Sequence, residues 1–220
     1  MNSAIITGAS RGIGKATAGL FLAHGWKVVG TSTNGEGWTK ANLTWVELDL
    51  SDPQSIAQAA KEIAVHGPFN ILIDNAGYLA DREKDFDDKP IQMNVLRKTL
   101  EVNLIGTVDL TERLLPNVKD GGHIVLLGSV CGSLTEADAA MSPAYSISKA
   151  GLSMYTRQLA GQMKDRGITV SIVDPGWVKT DMGGPDAVRE VEEPAKEIYD
   201  LATSNVSSGK FWRHGKERSW

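Results

Sequence analysis

Cysteine is almost missing from this chain: Cys131 is the only one in 220 residues. No intrachain disulfide can form, and such usage fits a reducing compartment. Long apolar runs are missing too, since no segment reaches the roughly 18 residues that a membrane span needs. Met1-Asn2-Ser3 leads straight into an apolar strand, without the basic region and long apolar stretch of a secretory leader. A soluble, cytoplasmic protein without a membrane partner is expected. There is no excess of positive charge either. Lys+Arg number 23 against 27 Asp+Glu, giving a net charge of −4 with the basic residues scattered, so no nucleic-acid partner is expected. The four histidines, His24, His66, His123 and His214, lack metal-ligand spacing with cysteine or acidic residues and read as surface or helix-end residues. No metal is expected. No Pro/Ser-rich linker, repeat or low-complexity tract interrupts the chain, so one domain over 1–220 is expected, large enough for a substantial core.

What is present is a regular alternation. Ala4 to Thr7 is a short apolar strand, then comes Gly8-Ala9-Ser10-Arg11-Gly12-Ile13-Gly14, then a stretch to His24 with apolar residues at helical spacing. Such a strand, glycine turn and helix aim backbone N–H groups at a phosphate. The spacing G-x-x-x-G-x-G differs from the G-x-G-x-x-G fingerprint, and a plain tight turn is the competing reading. Further strands are predicted at 27–31, 45–48, 70–73, 123–127, 168–173 and 210–212. Helices are predicted from Pro53 onward, over 90–118, over 144–166 and over 194–203. This order predicts an α/β fold: a Rossmann-type, doubly wound parallel sheet with helices on both faces. The charged run 81–89 reads as a solvated loop, and 182–185, with Gly183, Gly184 and Pro185, as a mobile segment within a short lid over about 177–193.

Several places in this pattern suit a dinucleotide. The second strand runs into Gly30-Thr31-Ser32-Thr33-Asn34 with no acid until Glu36, whereas an acid there would hold the adenosine ribose hydroxyls of NAD. Arg11 in the glycine turn supplies a cation suited to a 2′-phosphate. NADP(H) is therefore favoured over NAD(H), with Arg11, Ser32, Thr33 and Asn34 near that phosphate. Asp49, followed by Leu50 after the third strand, is placed either to accept from an adenine amino group or to cap the next helix. Asn75-Ala76-Gly77 ends the fourth strand, at the crevice where doubly wound sheets bind ligands. Asn103 interrupts an apolar helical pattern, so either a buried hydrogen bond or simple exposure explains it.

Tyr145 and Lys149 lie at i and i+4 of a predicted helix, on one face. A nearby ammonium favours phenolate and would lower the tyrosine pKa toward neutrality, as a proton donor or acceptor requires. By itself Y-x-x-x-K is a weak signal, because most such pairs are surface neighbours.

Together the motifs Thr7-Gly8-x-x-x-Gly12-x-Gly14, Asp49, Asn75-Ala76-Gly77, Asn103, Ser129, Tyr145-x-x-x-Lys149 and Pro175-Gly176-x-x-Thr180 resemble the short-chain dehydrogenases/reductases, in order and up to about Thr180. The run 176–184 and the ending Ser208-Gly209-Lys210-Phe211-Trp212 to Trp220 look like the carbonyl reductase branch related to C-factor. The resemblance implies reversible reduction of a ketone or aldehyde, with Tyr145 as general acid or base and Lys149 lowering its pKa and holding the nicotinamide ribose. It implies Ser129 on the substrate oxygen and Asn103 in a proton route. It also implies cofactor contacts from Gly8, Ser10, Gly12, Ile13, Gly14, Leu50, Asn75, Ala76, Gly77, Pro175, Gly176, Val178 and Thr180. Homodimers or homotetramers are common in the family. Ser129 and Tyr145 are farther apart than in most members, so 133–143 holds an insertion and Ser133 rivals Ser129. Tyr78, Leu134, Met141, Trp177 and Met182 are candidates for a substrate wall or for packing. Cys131 reads as a small buried side chain without a neighbouring cation. The rival function is a dinucleotide-binding sensor with little turnover. A sugar-nucleotide epimerase would need a larger C-terminal part.

Overall fold

The computed structural model describes residues 1–80, 91–136 and 142–220. The charged run 81–89 and Met141 lie outside the described residues. Among the described residues eight strands form one sheet: β1 (Ser3–Ile6), β2 (Lys27–Ser32), β3 (Leu43–Glu47), β4 (Phe69–Asp74), β5 (Val118–Leu127), β6 (Thr169–Asp174), β7 (Lys210–Arg213) and β8 (Lys216–Arg218). Their spatial order is β3-β2-β1-β4-β5-β6-β7-β8. The helices are α1 (Gly12–Ala23), α2 (Pro53–Ala64), α3 (Met93–Leu100), α4 (Thr107–Leu114), α5 (Pro143–Gln162) and α6 (Glu192–Thr203). The order reverses between β1 and β4, which is where an open parallel sheet leaves a crevice at its strands' C-terminal ends.

Consecutive residues of the central strands divide between the two faces. Ile5, Leu72, Ile124 and Leu126 join one core with residues of α2, α4 and α5. Ile6, Ile73, Val125 and Leu127 join the other with residues of α1 and α6. Burial on both faces explains the unbroken apolar runs. Asp52 caps α2, its carboxylate accepting from the Gln54 N–H at 2.9 Å, with Pro53 at the first helical position.

The structure corrects three expectations. The helix predicted over 90–118 is interrupted: a π turn, Glu101–Gly106, separates α3 from α4, and a short 3₁₀ turn follows α4. The sheet is not wholly parallel, because β8 returns antiparallel to β7 through His214 and Gly215, both with positive φ. His123 is neither at the surface nor at a helix end. It is buried within β5 beside Ser171 at 2.9 Å, and desolvation lowers its pKa to about 4.

Candidate active site

The glycine turn after β1 is locked to the end of β4. Thr7 Oγ1 accepts from the N–H groups of Asn75 and Ala76, while Asn75 Nδ2 donates to the Thr7 carbonyl at 2.8 Å and the Gly8 carbonyl at 3.2 Å. A Cβ at Gly14 would stand 2.3 Å from the Gly8 oxygen and 2.4 Å from Asn75 Nδ2. That approach admits only glycine. Ser10 and Ile13 sit in the same turn, half-buried, with Arg11 exposed.

The residues expected around an adenosine are spread along the neighbouring strand ends. Ser32 is buried and donates to Asn34 Oδ1 or the Glu36 carbonyl, leaving Thr33 and Asn34 exposed. Arg11 pairs with Asp181 across the mouth, both side chains about three-quarters exposed. Asp49 accepts from both the N–H and the hydroxyl of Ser51 at the turn before α2, beside buried Leu50. These bonds hold its carboxyl below the usual range. The helix cap is Asp52 rather than Asp49.

Trp38 was missed in the sequence. It donates from Nε1 to the Ala9 carbonyl at 3.0 Å, and Trp45 donates to the Trp38 carbonyl at 3.0 Å, so two indoles brace the glycine turn from the segment that replaces a helix between β2 and β3. Trp38, Arg11, Lys15, Lys179 and Thr180 line a cavity of about 470 Å³. The available signal was an isolated aromatic residue in a stretch rich in Thr, Gly and Asn.

At the ends of β5 and β6 the structure brings Ser129, Tyr145 and Lys149 together. Ser129 follows β5 and opens a 3₁₀ turn, Val130–Gly132, accepting from the Cys131 N–H at 3.2 Å. Its hydroxyl is also bonded to Tyr145. Ser133, the rival, turns its hydroxyl to the N–H groups of Thr135 and Glu136 in its own turn. A Cβ at Gly132 would meet the backbone of Lys149 at 2.6 Å, so this turn seats directly on α5. Lys149 is buried, donates to the Leu127 carbonyl at 2.7 Å and lies 5.5 Å from the Tyr145 ring centroid.

The expected lowering of the tyrosine pKa is overturned. Burial raises the phenol pKa well above its ordinary value, with further upward pushes from Cys131 and Asp174, against a lowering from the Ser129 hydrogen bond. The same desolvation lowers Lys149 to about 8, while Asp174 favours its charge. At neutral pH Lys149 stays largely charged, but burial is the largest influence on the phenol. Cys131 is half-buried and faces Tyr145, rather than being enclosed in the core.

Asn103 is fully buried in the π turn. It accepts from the Tyr78 N–H at 2.7 Å and donates to the Tyr78 carbonyl at 2.8 Å and to Ser148 Oγ at 3.1 Å. The buried reading of Asn103 is the correct one. A Cβ built on Gly77 would have Asn103 Oδ1 at 3.6 Å and both Lys149 Nζ and Met182 Cε at 3.9 Å. These groups therefore border one space beside exposed Gly77.

Across that space, Pro175, Gly176, Trp177, Val178 and Thr180 form a turn-rich segment. Gly176 donates to Asp174 Oδ1 at 2.9 Å, Trp177 Nε1 to the Gly183 carbonyl at 2.8 Å, and Gly183 N to Thr180 Oγ1 at 3.0 Å. Val178 forms a bridge to Arg189, and Arg189 pairs with Glu197 of α6. Leu134 is 92% and Trp177 54% exposed, which rules out core packing for both. Tyr78 lies under the Lys98 ammonium at 5.4 Å.

A family model described as short chain dehydrogenase matches residues 2–190. The chain belongs to the short chain dehydrogenase family. Within the family it is 36% identical over 192 residues to the 3-oxoacyl-[acyl-carrier-protein] reductase FabG of Salmonella typhimurium, covering 81% of this chain and 74% of the relative. It is 33% identical to protein FixR of Bradyrhizobium diazoefficiens, over 92% of this chain and 81% of that protein. Among solved structures, a short-chain dehydrogenase/reductase of Burkholderia multivorans with bound NADP superposes with a TM-score of 0.90 at 26% identity, covering 100% and 99% of the two chains. An NADPH-bound carbonyl reductase from chicken fatty liver gives 0.88 at 27%, covering 100% and 94%. No helix among the described residues is long and apolar enough to cross a membrane.

Proposed function

We propose that this protein is an NADP(H)-dependent reductase that converts a ketone or aldehyde to an alcohol, reversibly. The observation that carries the reading is the convergence of Ser129, Tyr145 and Lys149 at the C-terminal ends of β5 and β6, where Lys149, Asn103 and Met182 border one space beside Gly77. A nicotinamide dinucleotide fits the residues present. The glycine turn comes so close to Asn75 that a side chain is excluded, and Gly77 leaves room between Lys149 and Met182. When bound, the cofactor supplies the hydride that the carbonyl carbon accepts. Gly8, Ser10, Gly12, Ile13 and Gly14 hold its phosphates. Arg11, Ser32, Thr33 and Asn34 hold the adenosine end, with Arg11 exchanging Asp181 for a 2′-phosphate. Asp49, Leu50, Asn75 and Ala76 flank the adenosine, and Pro175, Gly176, Val178 and Thr180 the nicotinamide end.

Tyr145 acts as the acid. Its raised pKa keeps the phenol protonated at neutral pH, ready to give its proton to the carbonyl oxygen. Ser129 holds and polarises that oxygen. Lys149 holds the ribose, and Asn103 anchors the route by which the proton is replaced. Tyr78, Leu134, Trp177 and Met182 form the substrate wall, under a lid at about 177–193. The NADP-bound and NADPH-bound structural relatives support the choice of cofactor. Exposed Ile105, Ile147 and Met154 support docking of a second copy along the π turn and α5, giving a homodimer or homotetramer.

The test is NADPH oxidation by the purified protein against ketones, aldehydes and 3-oxoacyl thioesters, alongside NADPH binding. Tyr145→Phe should lower kcat/KM at least about 100-fold with NADPH affinity retained. Near-normal turnover in that variant removes the assigned acid. NADPH binding without oxidation of any carbonyl supports a dinucleotide sensor instead.

A further inference from the structure

An ionic pair with a buried carboxylate and a half-buried guanidinium stands beside the reaction centre. Asp174 ends β6 and Arg213 ends β7, and the two are register partners across the parallel pair. Arg213 Nε lies 3.1 Å from Asp174 Oδ2, with the arginine side chain 30% exposed and the aspartate 3%. The contact lies off the line of a hydrogen bond, so it acts through charge. The other carboxylate oxygen accepts from the Gly176 N–H. Lys149 Nζ donates to the Leu127 carbonyl at 2.7 Å, and Leu127 is the register partner of Val173, the residue before Asp174, so Asp174 ends its strand beside the lysine and acts electrostatically on both Tyr145 and Lys149. A buried carboxylate lacking a cationic partner is costly, and one beside a catalytic phenol opposes phenolate.

We propose that Arg213 is a positioning residue for the reaction centre: by pairing with Asp174 at the ends of β6 and β7, it sets how much negative charge Tyr145 and Lys149 meet. The inference rests on the reading of Tyr145 as the acid. Among the described residues, the other charged or titratable groups around this pair are few. Cys131 faces Tyr145 from the turn after β5. Glu136 lies 3.8 Å from Arg213 and is held by Arg218 of β8 at 3.0 Å. His214 and Arg189 meet Glu197 of α6 beside Gly176.

The sign of each variant follows. Reduction needs the protonated phenol, so activity falls as pH rises through the Tyr145 pKa of the working complex. Asp174→Asn keeps an acceptor for Gly176 but removes a negative charge, so the alkaline limb of kcat, which reports the working complex, moves down by about one pH unit. Arg213→Met leaves the carboxylate uncompensated, and the limb moves up. Arg213→Lys keeps the charge and holds the limb near its original position. The assay is NADPH-dependent reduction of nitrobenzaldehyde across pH, with Tyr145→Phe in parallel. Opposite displacements in the first two variants, with the lysine variant between them, support the proposal. Rate losses without limb displacement overturn it, as a purely structural role would give that result. Should Arg213→Met not fold, Asp174→Asn against Arg213→Lys still decides, and an unmoved limb in the former overturns the proposal. An inactive Tyr145→Phe with unmoved limbs elsewhere sinks this inference alone. A fully active Tyr145→Phe, or an unaltered protein that oxidises NADPH with no ketone, aldehyde or 3-oxoacyl thioester, sinks the underlying reading and this inference with it.

Discussion

Asp74 and Asp174 hold equivalent places: each is the last residue of a strand flanking β5, and each is almost wholly buried. Their surroundings differ. Asp74 Oδ2 lies 2.8 Å from Thr111 Oγ1, and Asp74 Oδ1 has no hydrogen-bond partner among the described residues. The single proton of Thr111 also serves the Thr107 carbonyl at 2.7 Å, an atom that can only accept. A protonated Asp74 satisfies this arrangement, and burial pushes its pKa up to about 7. Asp174 instead faces Arg213 and the Gly176 N–H. One fold thus accommodates a strand-end carboxyl in two ways. Away from the candidate reaction centre burial pushes it toward the neutral form; beside Tyr145 and Lys149 it is paired with a cation and acts on both.

The comparison is sharpened most by Asp74→Asn. Asp74 has a folded pKa raised above its ordinary value of 3.8, so its contribution to stability is fully present below about 4 and is lost as pH rises through about 7. The variant should gain on the unaltered protein by up to about 1.4 kcal/mol per pH unit across that window. Urea unfolding at the two ends of the window measures this, and a constant difference would break the contrast. Next in size is Arg213→Met. Breaking a fully buried ion pair costs about 3–5 kcal/mol; Arg213 is 30% exposed, so a loss of about 2 kcal/mol is expected above neutral pH. A loss below half of that would mean that Asp174 is accommodated like Asp74. The smallest effect should come from Glu136→Gln, farther out in the same ionic chain. Its partner Arg218 is 45% exposed, and such pairs contribute less than about 1 kcal/mol; chemical unfolding that shows more would extend the charge-paired region to the insertion.

Much of the placement of the candidate site was legible because motifs at strand ends keep their order in the chain. Asn75, Ser129, Tyr145 and Lys149 each follow a strand or open a helix that its own sequence announces. The bond partners were not legible. Asn103 could be read as buried or exposed until the π turn aimed it at Tyr78 and Ser148. Trp38 carried no local pattern, since its partner is the Ala9 carbonyl, 29 positions away. The hairpin of β7 and β8 was half visible: Lys210 to Trp212 read as a strand, but charged Lys216 to Arg218 did not. That end is held from outside the hairpin, with Trp220 stacked on Phe211 and its carbonyl accepting from Thr135.

The sequence by itself determined the alternation of strand and helix, the glycine turn and the helical spacing of Tyr145 and Lys149, because these depend on local periodicity and on backbone conformation. Only the tertiary structure decided what that spacing does to the tyrosine. An ammonium one turn away favours phenolate in water. In the folded chain both groups are stripped of water, and desolvation is the largest influence on each, leaving the phenol harder to ionise and the lysine easier to discharge.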